Sequence, residues 1–262
     1  MRGKIMSEMS LFLRRSARLF PACMGAFAGG FVSDYRRAML LRLFRALGMR
    51  DIELRLPVCG VSDLIRDDEC GVSLRELDGV NGNVSALELA TLCKLVADRK
   101  PETMFEIGTF DGRTALNLAA NGGEGSRVFT LDLPREGLGD TEYVIAEGDR
   151  QYVEKDGSGA RFVGSDVEGR ITQLYGDSAS FDFGPYEGGV DLVFVDGAHS
   201  YDYVMSDSDR ALRMLRGGKG VVVWHDYDSW PDVTRALHEL AERPEYAGMR
   251  RIEGTTMVIL ER

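Results

Sequence analysis

Short apolar runs recur along the second part of the chain and alternate with longer segments of helical spacing. They cover residues 104–107, 128–131, 171–174, 192–195, 221–224 and 257–260. Runs of this length are typical of strands buried on both faces, and helices between them suit right-handed crossovers between parallel strands. The pattern therefore predicts an α/β fold with a doubly wound sheet.

Residues 85–100 carry the pattern of an amphipathic helix that precedes the first strand. A serine oxygen at Ser85 can accept a bond from a free first-turn amide, and Glu88 can reciprocate. Pro101 marks the end of the helix, near Lys100. Its expected buried stripe is Leu87, Leu89, Leu92, Leu95 and Val96.

The regular alternation starts only near residue 85, which predicts two parts. We expect residues 1–84 to form a helical N-terminal arm or cap, and residues 85–262 to form the α/β domain. Residues 134–168 are a polar, glycine-containing insertion between the second and third strands. Because loops at the carboxyl ends of parallel strands border the ligand crevice, this insertion is a candidate lid. The alternative is a solvated surface excursion without a role.

Charge is distributed unevenly between these parts. Residues 1–50 contain ten Lys or Arg residues and two acids, a net charge of +8, so the whole-chain charge of −10 leaves −18 for the remainder. An acidic remainder argues against nucleic-acid binding, which needs a basic surface. Arginines beside apolar residues in the arm predict amphipathic helices that pack on the domain or join two copies as a homodimer. Peripheral contact with an anionic membrane surface is the alternative.

Cysteine usage and the chain start bear on the compartment. Cys23, Cys59, Cys70 and Cys93 show no close metal-type pairing, and nothing resembling a cleaved secretory signal precedes them. The uncharged stretch 19–33 is short and interrupted by proline and glycine, so it does not indicate a membrane span. We therefore expect reduced thiols and a cytoplasmic protein.

Residues 105–114 predict a strand that passes through a glycine turn into a helix. Gly108 and Gly112 allow a sharp turn and close approach of a ligand, and the free amides of the helix start favour a carboxylate or phosphate. A third glycine of the dinucleotide fingerprint is missing, and Glu106 would repel a pyrophosphate. A ligand with an amino acid end fits better, with its ammonium on Glu106 and its carboxylate on the amides near Thr114.

Two further acids follow predicted strands. Asp132 ends the second strand, twenty residues after Gly112, where a carboxylate can accept both ribose hydroxyl protons. Asp177 and Ser178 end the third strand and can face an adenine ring. Taken together, the positions describe a nucleoside joined to an amino acid.

The segment 191–203 contains the signature Asp-Gly-x-His-Ser-Tyr, followed by Leu-Arg-Gly-Gly at 215–218 and Trp-His-Asp-Tyr at 224–227. On these residues the chain resembles class I S-adenosylmethionine-dependent methyltransferases over about residues 85–262. The resemblance implies a Rossmann-like sheet of seven strands, mostly parallel, with the last strand antiparallel. Phe110 is a departure, because many relatives have glycine there.

The resemblance also implies which residues contact S-adenosylmethionine. Within the set, Glu106, Gly108, Gly112 and Thr114 would hold the methionine part, Asp132 the ribose, and Asp177 with Ser178 the adenine. The full set is Glu106, Gly108, Thr109, Phe110, Asp111, Gly112, Thr114, Asp132, Leu133, Asp177, Ser178 and Asp196.

His199, His225 and Asp226 are the candidate catalytic residues at the rim of the crevice. A neutral imidazole is a plausible base at cellular pH, although His199 is equally suited to orienting its loop. Asp196, His225 and Asp226 are similar in position to the metal ligands of catechol-type O-methyltransferases, which implies a divalent ion such as magnesium or manganese. The histidine departs from that pattern, because magnesium prefers oxygen ligands. Without a metal, His225 and Asp226 would serve as base and orienter.

These residues predict transfer of a methyl group to an oxygen of a small-molecule or saccharide-like acceptor. A nitrogen acceptor is the closest alternative. Two other classes remain open at this stage: a catalytically silent protein that binds the cofactor and acts through its arm, and a nicotinamide-dependent oxidoreductase, which the glycine spacing and Glu106 disfavour.

Overall fold

The computed structural model describes residues 53–262, together with Gly25. Eight strands form one sheet in the order β1-β7-β8-β6-β5-β2-β3-β4, and only β8 runs against its neighbours. The strands are β1 (Val58–Cys59), β2 (Thr103–Ile107), β3 (Arg127–Asp132), β4 (Ile171–Tyr175), β5 (Leu192–Val195), β6 (Val221–Trp224), β7 (Arg250–Ile252) and β8 (Val258–Glu261).

Five α-helices lie among the described residues. They are α1 (Ala86–Arg99), α2 (Arg113–Asn121), α3 (Arg150–Val153), α4 (Tyr201–Met214) and α5 (Pro231–Ala241). Helix α1 begins with the expected capping box, since the Ser85 hydroxyl accepts from the Glu88 amide and the Glu88 carboxylate accepts from the Ser85 amide. Leu87, placed in the buried stripe by the sequence, is 48% exposed, whereas Glu88 is buried.

Alternate residues of the strands enter two separate apolar cores, one on each face of the sheet. Met104 packs with residues of α1 and α2, while its neighbour Phe105 packs with residues of α4 and α5. Strands buried on both faces need apolar residues at every position, which explains the uninterrupted runs in the sequence. The doubly wound, mostly parallel sheet with an antiparallel last strand is thus confirmed.

The sheet has one strand more than the seven expected. Strand β1 pairs in parallel with β7 at the edge, and it lies within residues 53–84, which were expected to be helical. The expectation was wrong for this part of the arm: no α-helix lies in residues 53–84, and the compact unit that contains the sheet begins at Leu54. An edge strand of two residues has too few positions to produce a recognisable alternation. The rest of the predicted arm, residues 1–52, lies outside the described residues apart from Gly25.

The insertion 134–168 connects β3 to β4 and includes α3 among short turns. Its residues 159–162 lie against the glycine turn after β2, where Gly159 donates to the Phe110 carbonyl at 3.0 Å and Arg161 donates to the Asp111 carbonyl at 2.9 Å. The insertion therefore forms a wall of the crevice. Its role as a moving lid stays a prediction.

Across residues 53–262, no helix has the length and apolar character needed to cross a bilayer.

Candidate active site

The carboxyl ends of five parallel strands are in register, which brings the predicted site residues to one edge of the sheet. Ile107 pairs with Leu131 and with Val195, and Val195 pairs with Trp224. The residues that follow these positions, from Gly108 and Asp132 to Asp196 and His225, consequently surround one crevice. Parallel α/β sheets bind their ligands at such an edge.

Glu106 is fully buried at the end of β2 and is only partly satisfied. One carboxyl oxygen, Oε2, accepts from the Thr130 hydroxyl, whereas Oε1 has no hydrogen-bond partner. Burial, reinforced by Asp196 and Asp132, raises the pKa of this carboxyl well above its ordinary value. A buried oxygen without a donor is costly unless a ligand supplies one. An ammonium group is a fitting donor here.

The glycine turn after β2 has the conformation its sequence requires. Gly108 has φ of 101°, and a Cβ there would lie 1.9 Å from the Asp196 carbonyl oxygen. Gly112 has φ of 85°, and a Cβ would lie 2.7 Å from the Cα of Gly159. Phe110 has φ of 50°, in the left-handed region that favours glycine.

Asp111, Thr109 and Thr114 are the other predicted residues of this turn. Asp111 is held by the protein, since its carboxylate accepts from the Arg113 amide, the Asn83 amide and the Arg161 guanidinium. Thr109 accepts from Gln173 at 2.9 Å and is buried. Thr114 lies in the first turn of α2 with its side chain buried. Asp111 therefore holds the turn and takes the Arg113 amide, the first of α2, which leaves the next first-turn amides, at Thr114 and Ala115, for an anionic group.

Asp132 is buried at the end of β3, and residues of the insertion occupy its carboxylate. Lys155 lies 2.8 Å from Oδ2, and the Ser158 hydroxyl donates to the same oxygen. Burial raises the pKa of this carboxyl, and Lys155 opposes the shift. A ribose that binds both oxygens of Asp132 would therefore compete with these two side chains for Oδ2.

The acid expected at the adenine is also engaged by the protein. Asp177 accepts three hydrogen bonds, from the Tyr203 hydroxyl at 2.8 Å, the Ala179 amide at 3.0 Å and the Glu142 amide at 2.8 Å. Ser178, beside it, is half-buried, as is Leu133 on the neighbouring strand end. Asp177 thus shapes the loop that carries Ser178.

His199 is clamped between two carboxylates. Its Nδ1 lies 2.5 Å from Oδ1 of Asp149, its Nε2 lies 2.8 Å from Oδ2 of Asp226, and its ring stacks on Trp230 with centroids 4.5 Å apart. Burial opposes the imidazolium charge, but hydrogen bonds to Asp149 and Asp226 outweigh it and raise the pKa to about 10. In this arrangement His199 is protonated at neutral pH, which favours the orienting role over the role of base.

His225 lies at the centre of three carboxylates. Its Nδ1 is 3.0 Å from Oδ1 of Asp196 and 3.1 Å from Oδ2 of Asp226, and its Nε2 is 3.3 Å from Oε2 of Glu88. Burial lowers the pKa of the imidazole, but Asp196 and Asp226 outweigh it and hold the pKa well above its ordinary value. Asp226 has φ of 64°, a conformation uncommon outside glycine that often marks a functional site.

The predicted metal ligands fit a cation. Asp196, His225 and Asp226 each offer a donor atom, and these atoms lie within 4.8 Å of one another. The separations from Nδ1 to the two carboxylates match the distance of about 3.0 Å between neighbouring ligands when metal bonds are about 2.1 Å long. Two carboxylates and an imidazole are a donor set for manganese, iron or zinc rather than for magnesium.

Sequence reasoning missed three residues of this cluster. Asp149 and Trp230 carry no motif, and each contacts His199 from the position directly before a helix, α3 and α5 respectively. Glu88 was identified only as part of a capping box, although it also faces His225. An acid at the third helical position has an ordinary explanation as a cap, so its second contact was hidden.

Comparison with known proteins agrees with this geometry. Residues 105–227 match the family model described as a methyltransferase domain. The solved O-methyltransferase TomG from Streptomyces achromogenes, involved in tomaymycin synthesis and in complex with SAM, is 22% identical, with a TM-score of 0.50 over 76% of this chain and 92% of that one. Among curated protein sequences, none matches the chain.

Two further solved structures are similar to a comparable extent. An O-methyltransferase from Bacillus cereus in complex with SAH is 16% identical, with a TM-score of 0.49 over 70% of this chain and 84% of that one. The SAH-bound methyltransferase PaMTH1 from Podospora anserina is 19% identical, with a TM-score of 0.48 over 70% and 81%. The family match over residues 105–227 agrees with the resemblance drawn from the signature at 191–203, and the similarity to TomG shows that the two chains share a fold.

Proposed function

We propose that the chain transfers the methyl group of S-adenosylmethionine to an oxygen atom of a small-molecule acceptor. The observation that carries this proposal is the match of residues 105–227 to the methyltransferase domain. The same residues contain the crevice in which Glu106 keeps a buried oxygen without a partner. The solved structure of TomG, an O-methyltransferase in complex with SAM, supports the choice of donor and of oxygen as the acceptor atom.

The donor binds along the carboxyl edge of the sheet. Glu106 receives its ammonium group, the first-turn amides of α2 near Thr114 receive its carboxylate, and Asp132 receives the ribose hydroxyls. Glycines at 108 and 112 keep side chains out of the turn that these groups approach. Ser178 lies at the adenine end, and Asp177 fixes the loop that carries it.

The reaction requires alignment and removal of one proton. The acceptor oxygen must approach the donor methyl carbon in line with the bond to sulfur, and its proton must leave as the new bond forms. His199, stacked on Trp230, contacts Asp226 directly, so it adjoins the group formed by Asp196, His225 and Asp226 at the rim. Among these groups, the carboxylates of Asp196 and Asp226 are the candidate acceptors for that proton.

Asp196, His225 and Asp226 would hold a divalent ion at the same rim. Such an ion, when bound, lowers the pKa of an acceptor hydroxyl and orients its oxygen. Turnover measured after chelation, and again after metal is added back, tests this part of the proposal. Full activity in the presence of EDTA would remove the metal from the mechanism.

Calorimetry with S-adenosylhomocysteine and with NAD tests the donor. We expect binding of the first and none of the second; the opposite result would favour an oxidoreductase. A methyl-release assay over a panel of hydroxylated metabolites, including saccharide-like compounds and amines, then tests the acceptor. Donor binding without turnover of any acceptor would favour a catalytically silent interaction protein.

The roles assigned to the N-terminal arm stay predictions. Two of these roles concern residues 1–50. One is peripheral membrane contact by a cytoplasmic protein, and the other is formation of a homodimer through the arm. Co-sedimentation with anionic liposomes, before and after deletion of these residues, tests the first. Unchanged binding after the deletion would reject the membrane role, and sedimentation velocity on the same two proteins tests the dimer.

A further inference from the structure

The two ring nitrogens of His225 face different partners. Nδ1 faces Asp196 and Asp226, the carboxylates with which it forms the candidate metal centre. Nε2 points to the opposite side, toward Oε2 of Glu88 at 3.3 Å. This nitrogen is buried and has no hydrogen-bond partner among residues 53–262, so the Glu88 carboxylate at 3.3 Å is the charged group placed to receive its hydrogen.

Glu88 is held firmly in front of that nitrogen. It lies in the first turn of α1, is 4% exposed, and accepts from the Ser85 amide through Oε2 at 2.7 Å. Its other oxygen accepts from the amide and the hydroxyl of Thr256, at 2.7 and 2.8 Å. Three donors from two segments therefore fix the carboxylate, which leaves it little freedom to follow the imidazole.

Thr256 links Glu88 to a second member of the centre. The hydroxyl of Thr256 donates to Glu88, and its oxygen accepts from the Asp226 amide at 3.3 Å. Asp226 has the left-handed backbone conformation, so an amide contact at this position helps to hold its carboxylate. Glu88 thus supports two of the three candidate ligands, His225 directly and Asp226 through Thr256.

An imidazole binds a metal through one nitrogen while the other donates its hydrogen, and the partner of that hydrogen fixes the tautomer and the ring orientation. We propose that Glu88 is a positioning residue of the metal centre: it holds the hydrogen of His225 on Nε2, so that the lone pair of Nδ1 points between Asp196 and Asp226. This inference rests on the proposed metal site, and it explains how a histidine serves where the resemblance expects an acid.

The test is the affinity for Mn²⁺, measured by calorimetry on the full chain. Glu88→Gln keeps the side-chain shape and an oxygen for the cap but removes the charged partner of Nε2. We expect its dissociation constant for Mn²⁺ to rise by about 10- to 100-fold, the usual effect of losing such a partner. The matched control is Ser85→Ala, which breaks the capping box without touching His225 and should change the Mn²⁺ affinity by less than about twofold.

A mutant cycle separates positioning from a general loss of structure. In a His225→Asn background there is no imidazole to orient, so adding Glu88→Gln should leave the remaining Mn²⁺ affinity unchanged. If Glu88→Gln does not fold, Thr256→Val replaces it, with an expected weakening of about three- to tenfold. Binding of S-adenosylhomocysteine, expected to stay at the wild-type level in Glu88→Gln, Thr256→Val and Ser85→Ala, monitors the rest of the crevice.

The outcomes are distinguishable. Wild-type Mn²⁺ affinity in Glu88→Gln, or an equal loss in the His225→Asn background, overturns the role of Glu88 but leaves the metal centre standing. A wild-type chain that binds S-adenosylhomocysteine and no Mn²⁺ overturns the metal centre and this inference together, and leaves the methyltransferase proposal intact. A chain that binds neither compound contradicts the proposed function itself.

Discussion

The Lys155 ammonium lies 2.8 Å from Oδ2 of Asp132, at the carboxylate that is expected to receive the donor ribose. Both side chains are largely buried, and the lysine comes from the insertion 134–168, while the aspartate ends β3. The insertion thus contacts a residue of the proposed donor site, so we expect donor binding and the position of the insertion to be linked.

Removing the lysine should strengthen donor binding, because the ribose then has one competitor fewer. We expect Lys155→Met to lower the dissociation constant for S-adenosylhomocysteine by about fivefold, which corresponds to about 1 kcal/mol for a partly buried ion pair. Calorimetry measures it. Lys219→Met, at an exposed position, is the control and should bind as the wild type does. Weaker binding by Lys155→Met would mean that the lysine contacts the donor instead.

Glu106 should release a proton when the donor binds. Burial raises the pKa of its carboxyl well above the ordinary value, whereas a bound ammonium group favours the charged form and lowers that pKa. Binding enthalpies of S-adenosylhomocysteine in buffers of different ionisation enthalpy measure the number of protons released. Glu106→Gln should abolish the release and weaken binding by about tenfold or more. The exposed Glu102→Gln should do neither; release that persists in Glu106→Gln would assign the proton to another group.

Predictions from the sequence were correct where a residue type at a given position has a single physical explanation. Two glycines close to a strand end, an acid after the next strand, and the signature at 191–203 led to the correct fold, because a parallel sheet brings such positions to one edge. The capping box of Ser85 and Glu88 was also correct, since it depends only on residues three apart.

What the sequence could not show depends on contacts between distant segments. Asp149 is fifty residues from His199 and lies in an insertion without periodicity, and Lys155 reaches Asp132 from the same insertion. Strand β7 has two arginines among its three residues, so no apolar run marks it. Glu88 and His225 are more than a hundred residues apart in the chain, so no local sequence pattern indicates their contact.

The carboxylate of Asp149 should hold the insertion 134–168 against the active site through its contacts with His199. This carboxylate binds both the ring and the backbone amide of His199, at 2.5 and 2.9 Å. Asp149→Asn weakens these charged hydrogen bonds, so we expect amide hydrogen exchange in residues 146–156 to rise by about tenfold. Asp156→Asn, an exposed position in the same segment, should leave exchange unchanged. Equal exchange in wild type and Asp149→Asn would show that other contacts, such as those of Lys155, hold the insertion.

Asp207 provides a pH-dependent prediction outside the metal cluster. It lies on α4 with 1% exposure, and burial raises the pKa of its carboxyl to about 7. An unfolded aspartate has a pKa of about 3.9, so the folded protein holds this proton more tightly than the unfolded chain does. The contribution of this raised pKa to the free energy of unfolding is fully present below a pH of about 4, and it is lost as the pH rises toward 7.

Asp207→Asn cannot ionise and should escape that loss. The free energy of unfolding of the variant, relative to the wild type, should therefore increase by about 2 to 3 kcal/mol between pH 5 and pH 8. Urea denaturation at a series of pH values measures it, and the other titrating groups cancel because both proteins share them. The exposed Asp202→Asn on the same helix should give a difference that does not change with pH. A flat difference for Asp207→Asn as well would mean that the carboxyl is already ionised at pH 5, stabilised by a donor or a water that offsets its burial.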